Sequence, residues 1–157
     1  MKTTSIIVDV QNVYYTTRQA FQKNFNYNAF WAEALENRTL VNASAFAIDR
    51  GDEKQKQFQN ILRAIGFDVR LKPYIQRADG SSKGDWDVGI AVEALEQAPH
   101  CDEIILVSGD GDFDILAKTI REKHGCEVVV YGVKALTANA LIKEASRYRE
   151  IDASLLM

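Results

Sequence analysis

Short apolar segments alternate five times with amphipathic helical patterns along this chain, and this alternation limits the folds that it can adopt. Ile104 to Val107 and Val128 to Tyr131 are continuous apolar runs, typical of strands that are covered on both faces. The other predicted strands are Thr4 to Val10, Leu40 to Ile48 and Phe67 to Tyr74. The predicted helices are Asn28 to Arg38, Asp52 to Ile65, Asp87 to Ala98, Asp112 to Lys123 and Thr137 to Arg147. The pattern predicts an α/β fold with a central, mainly parallel sheet of about five strands between two layers of helices, because right-handed crossover helices join parallel neighbours.

Length and composition indicate a soluble globular protein. The 157 residues, with 46% hydrophobic and 26% charged side chains, are enough for one domain that buries its own core. We therefore expect a single domain over residues 1–157. The apolar runs are too short to span a bilayer, and the N-terminal run is interrupted by Asp9, so we expect no membrane partner and a cytoplasmic location.

The net charge of −3 hides an uneven distribution of charge. Six aspartates follow predicted strands or precede predicted helices, and without them the 22 acidic residues fall to 16, against 19 basic residues. The remainder is mildly basic, which is compatible with contact to a phosphate backbone. The six are Asp9, Asp85, Asp87, Asp110, Asp112 and Asp114. Cys101 and Cys126 lie 25 residues apart and form no C-x-x-C motif, so we expect two free thiols.

The segment from Ser108 to Asp114, Ser-Gly-Asp-Gly-Asp-Phe-Asp, places three carboxylates directly after an apolar strand. Ligands of open α/β sheets bind at this edge, and carboxylates crowded there repel one another unless a cation or a shared proton neutralises them. Asp9 ends the first strand, and Asp87 precedes a helix. If the first strand adjoins the one ending at Val107, these acids converge.

Such a group of carboxylates suits Mg²⁺ or Mn²⁺ and the hydrolysis of phosphate esters. We predict that Asp9, Asp110 and Asp112 hold the metal directly or through water. Asp87 either binds the metal or orients the attacking water. Asp114 is better explained as a favourable anion in the first turn of a helix, and Asp85 as a solvated or capping residue.

Several side chains near this edge have two interpretations. Asn12 either satisfies a turn or hydrogen-bonds Asp9, and Lys83 is either a solvated charge or a phosphate contact. Tyr14, Tyr15 and Trp86 either stack on unpaired bases or cover the core. Competing motifs fail, because an EF-hand begun at Asp110, a dinucleotide fingerprint and a phosphate-binding loop each lack required residues.

The chain resembles the NYN branch of the PIN-like nucleases, and in particular its LabA-like bacterial members. The matching motifs are Asp9 with Asn12, the segment Lys83-Gly-Asp-Trp-Asp-Val88, and Ser108-Gly-Asp-Gly-Asp-Phe113. The resemblance implies a Rossmann-like, PIN-like domain that cleaves RNA in a pocket binding Mg²⁺ or Mn²⁺. By motif, the pocket acids are Asp9, Asp87, Asp110 and Asp112, with Asn12, Lys83 and Ser108 in support.

Three points stay open on this evidence. Glu93 stands where many relatives carry an aspartate, and a longer acid could still reach the rim of the pocket. The alternatives to a ribonuclease are a catalytically weak or inactive RNA-binding module of the same fold and a metal-dependent phosphohydrolase. The oligomeric state is undetermined, with a homodimer as one alternative.

Overall fold

The computed structural model describes residues 1–73 and 85–157, together with the backbone of residues 75–76 and 82–83. Strands and helices alternate through most of the chain, as the apolar pattern predicts. The strands are β1 (Lys2–Asp9), β2 (Arg38–Asp49), β3 (Asp68–Pro73), β4 (Ile75–Gln76), β5 (Ser82–Lys83), β6 (Glu103–Val107), β7 (Glu127–Gly132) and β8 (Arg147–Glu150). The helices are α1 (Val10–Phe21), α2 (Tyr27–Ala34), α3 (Glu53–Ile65), α4 (Asp87–Gln97), α5 (Asp114–His124) and α6 (Asn139–Glu144).

Six strands form one sheet in the order β3-β2-β1-β6-β7-β8. All five neighbouring pairs are parallel, so the predicted three-layer α/β fold is confirmed, with six strands in the main sheet instead of about five. The order reverses between β1 and β6, where Val8 lies opposite Val107. Such a switch point opens a crevice at the carboxyl ends of the two strands.

Both faces of the sheet are covered by helices, and successive residues of a strand enter different cores. Ile6 packs into a cluster with side chains of α1, α2 and α3, whereas Ile7 packs into a cluster with side chains of α4, α5 and α6. Both isoleucines are fully buried. This burial on both faces explains why the central strands are continuous apolar runs.

The structure corrects the predicted elements in three places. Helix α1 was absent from the prediction because its buried face consists only of Val10, Val13 and Thr17. The helix predicted from Asn28 begins one residue earlier, after Asn26 accepts a hydrogen bond from the Ala29 N–H, and it ends at Ala34.

The C-terminal helix was predicted too long. It ends at Glu144, and the residues that follow form the sixth strand, β8, beside β7. The predicted polar loop from Ala78 to Lys83 lies mostly outside the described residues, although the backbone of β5 at its end pairs with β4. Among the described residues, no helix is both long enough and apolar enough to cross a membrane.

Candidate metal centre

Asp9 is held in a fixed orientation at the end of β1. Its carboxylate caps α1 by accepting a hydrogen bond from the Asn12 N–H (3.3 Å), and it accepts a second from the Ser108 hydroxyl (3.2 Å). The side chain is buried, which raises its pKa from 3.8 to about 6, and the negative charges of Asp110 and Asp85 add to this rise against the effect of the two hydrogen bonds. A buried carboxylate with this pKa lacks a compensating positive charge.

Two polar side chains tie the loop after β6 to β1 and α1. The Ser108 hydroxyl, which donates to Asp9, also accepts from the Asp110 N–H (3.2 Å). The Asn12 side chain accepts from the Gly109 N–H (2.9 Å). Of the two interpretations of Asn12, the structure favours the one in which its side chain satisfies a backbone group: the side chain holds the loop that carries Asp110, while the Asn12 N–H bonds Asp9.

The two glycines of this loop lie so close to the segment after β7, residues 136–138, that neither position has room for a side chain. A Cβ atom at Gly109 would lie 2.8 Å from the Leu136 carbonyl oxygen, and one at Gly111 would lie 2.8 Å from the Ala138 Cβ atom. The Gly109 carbonyl also accepts from the Ala138 N–H (3.2 Å). This packing fixes the path of the Ser-Gly-Asp-Gly sequence and hence the position of Asp110.

Trp86 anchors the third acidic residue at the start of α4. Its indole N–H donates to the Ala47 carbonyl (2.8 Å), and its ring packs edge-on against Phe46 with a centroid distance of 5.1 Å. A Cβ atom at Gly89 would lie 2.5 Å from the indole ring, so this turn of the helix accommodates the tryptophan only because residue 89 is glycine. Asp87 directly follows this anchor. Trp86 thus packs against the core, which is one of the two interpretations that the sequence allows.

Three carboxylates converge at the switch point between β1 and β6. Asp9, Asp87 and Asp110 each offer an oxygen atom, and these atoms all lie within 4.8 Å of one another. Partial burial raises the pKa of Asp87 to about 7, and the hydrogen bond and negative charge of Asp110 contribute to this rise. The group therefore retains a proton near neutral pH when no cation is bound.

These acids line a pocket of about 230 Å³ that opens to solvent. Asp85 is exposed at its rim and accepts a hydrogen bond from the Asp87 N–H (3.3 Å). Tyr15 lines the wall and is 51% exposed, and its ring contacts Tyr14 edge-on. Gln11 also lines the pocket and was not predicted. It could have been found from the sequence, because α1 places residue 11 in the first turn after Asp9.

Asp112 does not lie in the group of three carboxylates. It is exposed in the short turn before α5, where its N–H donates to Asp110 (2.9 Å). Its predicted part in metal binding stays a prediction. Asp114 begins α5 and accepts from the Ile115 N–H, in keeping with a helix-start anion. The side chain of Lys83 lies outside the described residues.

Glu93 points away from the pocket and into a polar network beneath α4. Its carboxylate accepts from the Asn42 amide (2.9 Å) and the Gln97 amide (3.2 Å), and it lies 3.6 Å from the Arg70 guanidinium. The side chain is buried. These partners give Glu93 a role in packing α4 against the sheet.

A larger cavity of about 460 Å³ lies elsewhere, beside the β6, β7 and β8 strands. Its charged groups neutralise one another: Arg38 pairs with Glu103 (2.6 Å), and Arg149 pairs with Glu33 (2.8 Å). The second Glu103 oxygen has no hydrogen-bond partner in the described part of the chain. A cavity with paired charges does not concentrate negative charge for a divalent cation, so the smaller acidic pocket is the better candidate.

The donor set of the acidic pocket fits a divalent cation with oxygen ligands. Three carboxylates at this spacing match the preference of Mg²⁺ and Mn²⁺ for hard oxygen ligands with room for waters. The raised pKa values of Asp9 and Asp87 are the expected signature of carboxylates without a neutralising charge. A bound cation would offset the free-energy cost of keeping these carboxylates charged.

Comparisons with known proteins agree with the fold. The chain matches the NYN domain over residues 3–152. It is 27% identical to the low amplitude and bright protein LabA of Synechococcus elongatus over 163 aligned residues, which cover 94% of this chain and 83% of that protein. It is 52% identical to a protein of unknown function from Vibrio parahaemolyticus, whose crystal structure superposes with a TM-score of 0.95 over 99% of this chain and 96% of that one.

Proposed function

Since the chain belongs to the NYN domain family, a branch of the PIN-like nucleases, we propose that it is a metal-dependent ribonuclease that hydrolyses RNA phosphodiester bonds. The observation that carries this proposal is the convergence of Asp9, Asp87 and Asp110 within 4.8 Å at the switch point of the sheet. Three carboxylates at an exposed strand edge suit phosphoryl transfer when a cation balances their charge.

The three acids would hold Mg²⁺ or Mn²⁺, which when bound supplies positive charge to the scissile phosphate and lowers the pKa of a water molecule. Asp9 is suited to a fixed ligand, because the Asn12 N–H and the Ser108 hydroxyl set its orientation. Asp110 is placed by the loop that Ser108 and Asn12 hold. Asp87 is more open to solvent than Asp9, and its pKa of about 7 lies above the pKa of about 6 of Asp9, so Asp87 is suited to accept a proton from the attacking water.

The substrate we propose is RNA with unpaired bases. Tyr15 stands half exposed in the wall of the pocket, with Tyr14 against its ring. A half-exposed aromatic ring beside a phosphate-binding pocket can stack on a base that is not paired. The mildly basic remainder of the chain supports contact with the phosphate backbone.

The test is cleavage of a fluorogenic RNA with Mn²⁺, Mg²⁺ or EDTA. We expect cleavage with metal and none with EDTA, and we expect Asp110→Asn to reduce the rate by at least about two orders of magnitude. Asp112→Asn is the comparison that tests the predicted part of Asp112 in metal binding. It makes the same substitution two residues away, at an exposed acid outside the group of three carboxylates, and we expect a smaller loss than in Asp110→Asn. If wild type and Asp110→Asn both stay at background, the ribonuclease proposal is wrong.

Two other functions of the same fold remain to be separated from this one. An RNA-binding module without turnover predicts salt-sensitive RNA binding that survives Asp110→Asn and needs no metal. A phosphohydrolase predicts metal-dependent release of phosphate from a small phosphomonoester without cleavage of RNA. The half-exposed Tyr15 in the pocket wall favours a substrate with bases over a small phosphomonoester.

A further inference from the structure

The fold brings the two cysteines together, although they are 25 residues apart in the sequence. Cys101 lies just before β6, and Cys126 lies just before β7. These strands pair in parallel with Glu103 opposite Glu127, and the Glu127 N–H donates to the Asp102 carbonyl (3.0 Å). Continued back by one residue, this register places Cys126 opposite Asp102, the neighbour of Cys101, and both cysteines pack in the core between the sheet and α4 to α6. The two thiols are close enough to shift each other's pKa.

The two thiols differ in their access to solvent. Cys126 is only 2% exposed and belongs to the core between the sheet and α4 to α6, whereas Cys101 is partly exposed and packs against that core. A small oxidant in solution therefore reaches Cys101 first. Cys126 is buried beside it and is shielded from the same reagent.

The interaction between the thiols also shifts their pKa values in opposite directions. The hydrogen bond from Cys126, together with contacts to Ser5, lowers the pKa of the Cys101 thiol against the opposing effect of burial. The same hydrogen bond, followed by burial, raises the pKa of the Cys126 thiol. An accessible thiol with thiolate character beside a second cysteine is the arrangement found in redox-responsive cysteine pairs.

We propose that Cys101 and Cys126 are a hydroperoxide-reactive pair that forms an intramolecular disulfide in the folded chain. The Cys101 thiolate attacks one oxygen of the peroxide, the O–O bond breaks, and Cys101 becomes a sulfenic acid while hydroxide leaves and is protonated to water. The Cys126 sulfur then attacks the Cys101 sulfur, the S–O bond breaks, and the Cys126 proton leaves with the hydroxyl group as water. Two thiols thus give two electrons, and one hydrogen peroxide gives two waters.

The disulfide would close a loop that contains β6, the Asp110 loop and α5. Closing this loop constrains the unfolded chain, so the oxidised protein should unfold at higher temperature than the reduced one. The proposal does not depend on the ribonuclease activity, because none of its measurements uses RNA.

The experiment treats the reduced full-length protein with equimolar hydrogen peroxide under native conditions. We expect the intact mass to fall by two hydrogen atoms, both free thiols to disappear, and a non-reducing digest to contain a peptide that joins Cys101 to Cys126. The same reaction in urea should be slower, because unfolding separates the two thiols. The proposal is overturned if both thiols stay free, if the disulfide joins two chains, or if urea is needed for it to form.

Two alanine variants test the order of the steps. In Cys126→Ala, we expect Cys101 to stop at the sulfenic acid, which dimedone captures. In Cys101→Ala, we expect the buried Cys126 to stay reduced. Circular dichroism establishes that each variant is folded. Equal dimedone labelling of the two variants would contradict the assignment of Cys101 as the attacked residue.

Discussion

Replacing Asp9 with asparagine should change the stability of the protein in opposite directions with and without a divalent cation. Asp9 is 8% exposed, and its pKa lies at about 6 in the folded chain, against an ordinary value of 3.8. Because the folded-state pKa is the higher one, this group favours folding at low pH, and that contribution is lost as the pH rises from about 4 to about 6. The difference in pKa means that the ionised Asp9 lowers the free energy of unfolding of the metal-free protein by about 3 kcal/mol at about pH 8, compared with the protonated form at low pH.

Asparagine is a suitable replacement, because it removes the charge and keeps the cap. Asparagine and aspartate stabilise a helix equally well at the N-cap position, which Asp9 occupies, so the hydrogen bond from the Asn12 N–H can persist. We expect metal-free Asp9→Asn to be more stable than wild type at about pH 8 by up to about 3 kcal/mol, a rise in Tm of about 6–12 °C for a chain of this length. At about pH 4 the difference should vanish, because the wild-type carboxyl is protonated.

The assay is urea unfolding followed by circular dichroism, in EDTA and in Mn²⁺. A cation present at about 1,000 times its Kd stabilises wild type by about 4.1 kcal/mol, which exceeds the advantage of about 3 kcal/mol that Asp9→Asn has without metal. Asp9→Asn should lose most of the gain from the cation, so the order of stability reverses. Asp112→Asn is the control and should stay within about 0.5 kcal/mol of wild type in EDTA. The reasoning is refuted if Asp9→Asn is less stable than wild type in EDTA at about pH 8, or if Mn²⁺ stabilises both proteins equally.

Three further predictions concern the wall of the pocket, the packing of α4 and the protons released on metal binding. Tyr15→Ala should weaken binding of single-stranded RNA by about 1–3 kcal/mol, measured by fluorescence anisotropy in EDTA, while Tyr15→Phe keeps the affinity; equal binding by all three proteins would argue against stacking. Gly89→Ala should destabilise the chain by about 1–3 kcal/mol despite the higher helix propensity of alanine, because its Cβ atom would strike the Trp86 ring; an unchanged urea midpoint would contradict this packing. Mn²⁺ binding near pH 6 to 7 should release protons, since the pKa values of Asp9 and Asp87 are about 6 and about 7, and calorimetry in buffers of different ionisation enthalpy should find fewer protons released by Asp87→Asn.

The layer architecture could be predicted from the sequence because the central strands are buried on both faces. Ile104 to Val107 is apolar at every position, and the structure buries every residue of β6. The sixth strand was missed for the opposite reason. β8 lies at the edge of the sheet, and its four residues, Arg-Tyr-Arg-Glu, include three charged side chains that give no apolar run.

The sequence alone predicts which edge of the sheet carries the candidate site. The strand ends place Asp9 and Asp110 at one edge of the sheet, and this needs only the order of the strands. The sequence could not show that Asp110 joins the group of three carboxylates while Asp112 stays outside it. The positions of these two residues depend on how the turn after β6 packs against Ala138. Nor could it show that Glu93 has partners on β2 and β3, since these contacts join residues far apart in the chain.

The central claim is that Asp9, Asp87 and Asp110 together bind a divalent cation. Anomalous diffraction from a crystal soaked in Mn²⁺ tests it most directly, with an Asp110→Asn crystal as the comparison. We predict an anomalous peak in the acidic pocket within bonding distance of oxygen atoms from all three carboxylates, and a loss of that peak in Asp110→Asn. Carboxylates that point apart with no peak between them, or an equal peak in the variant, would contradict the account.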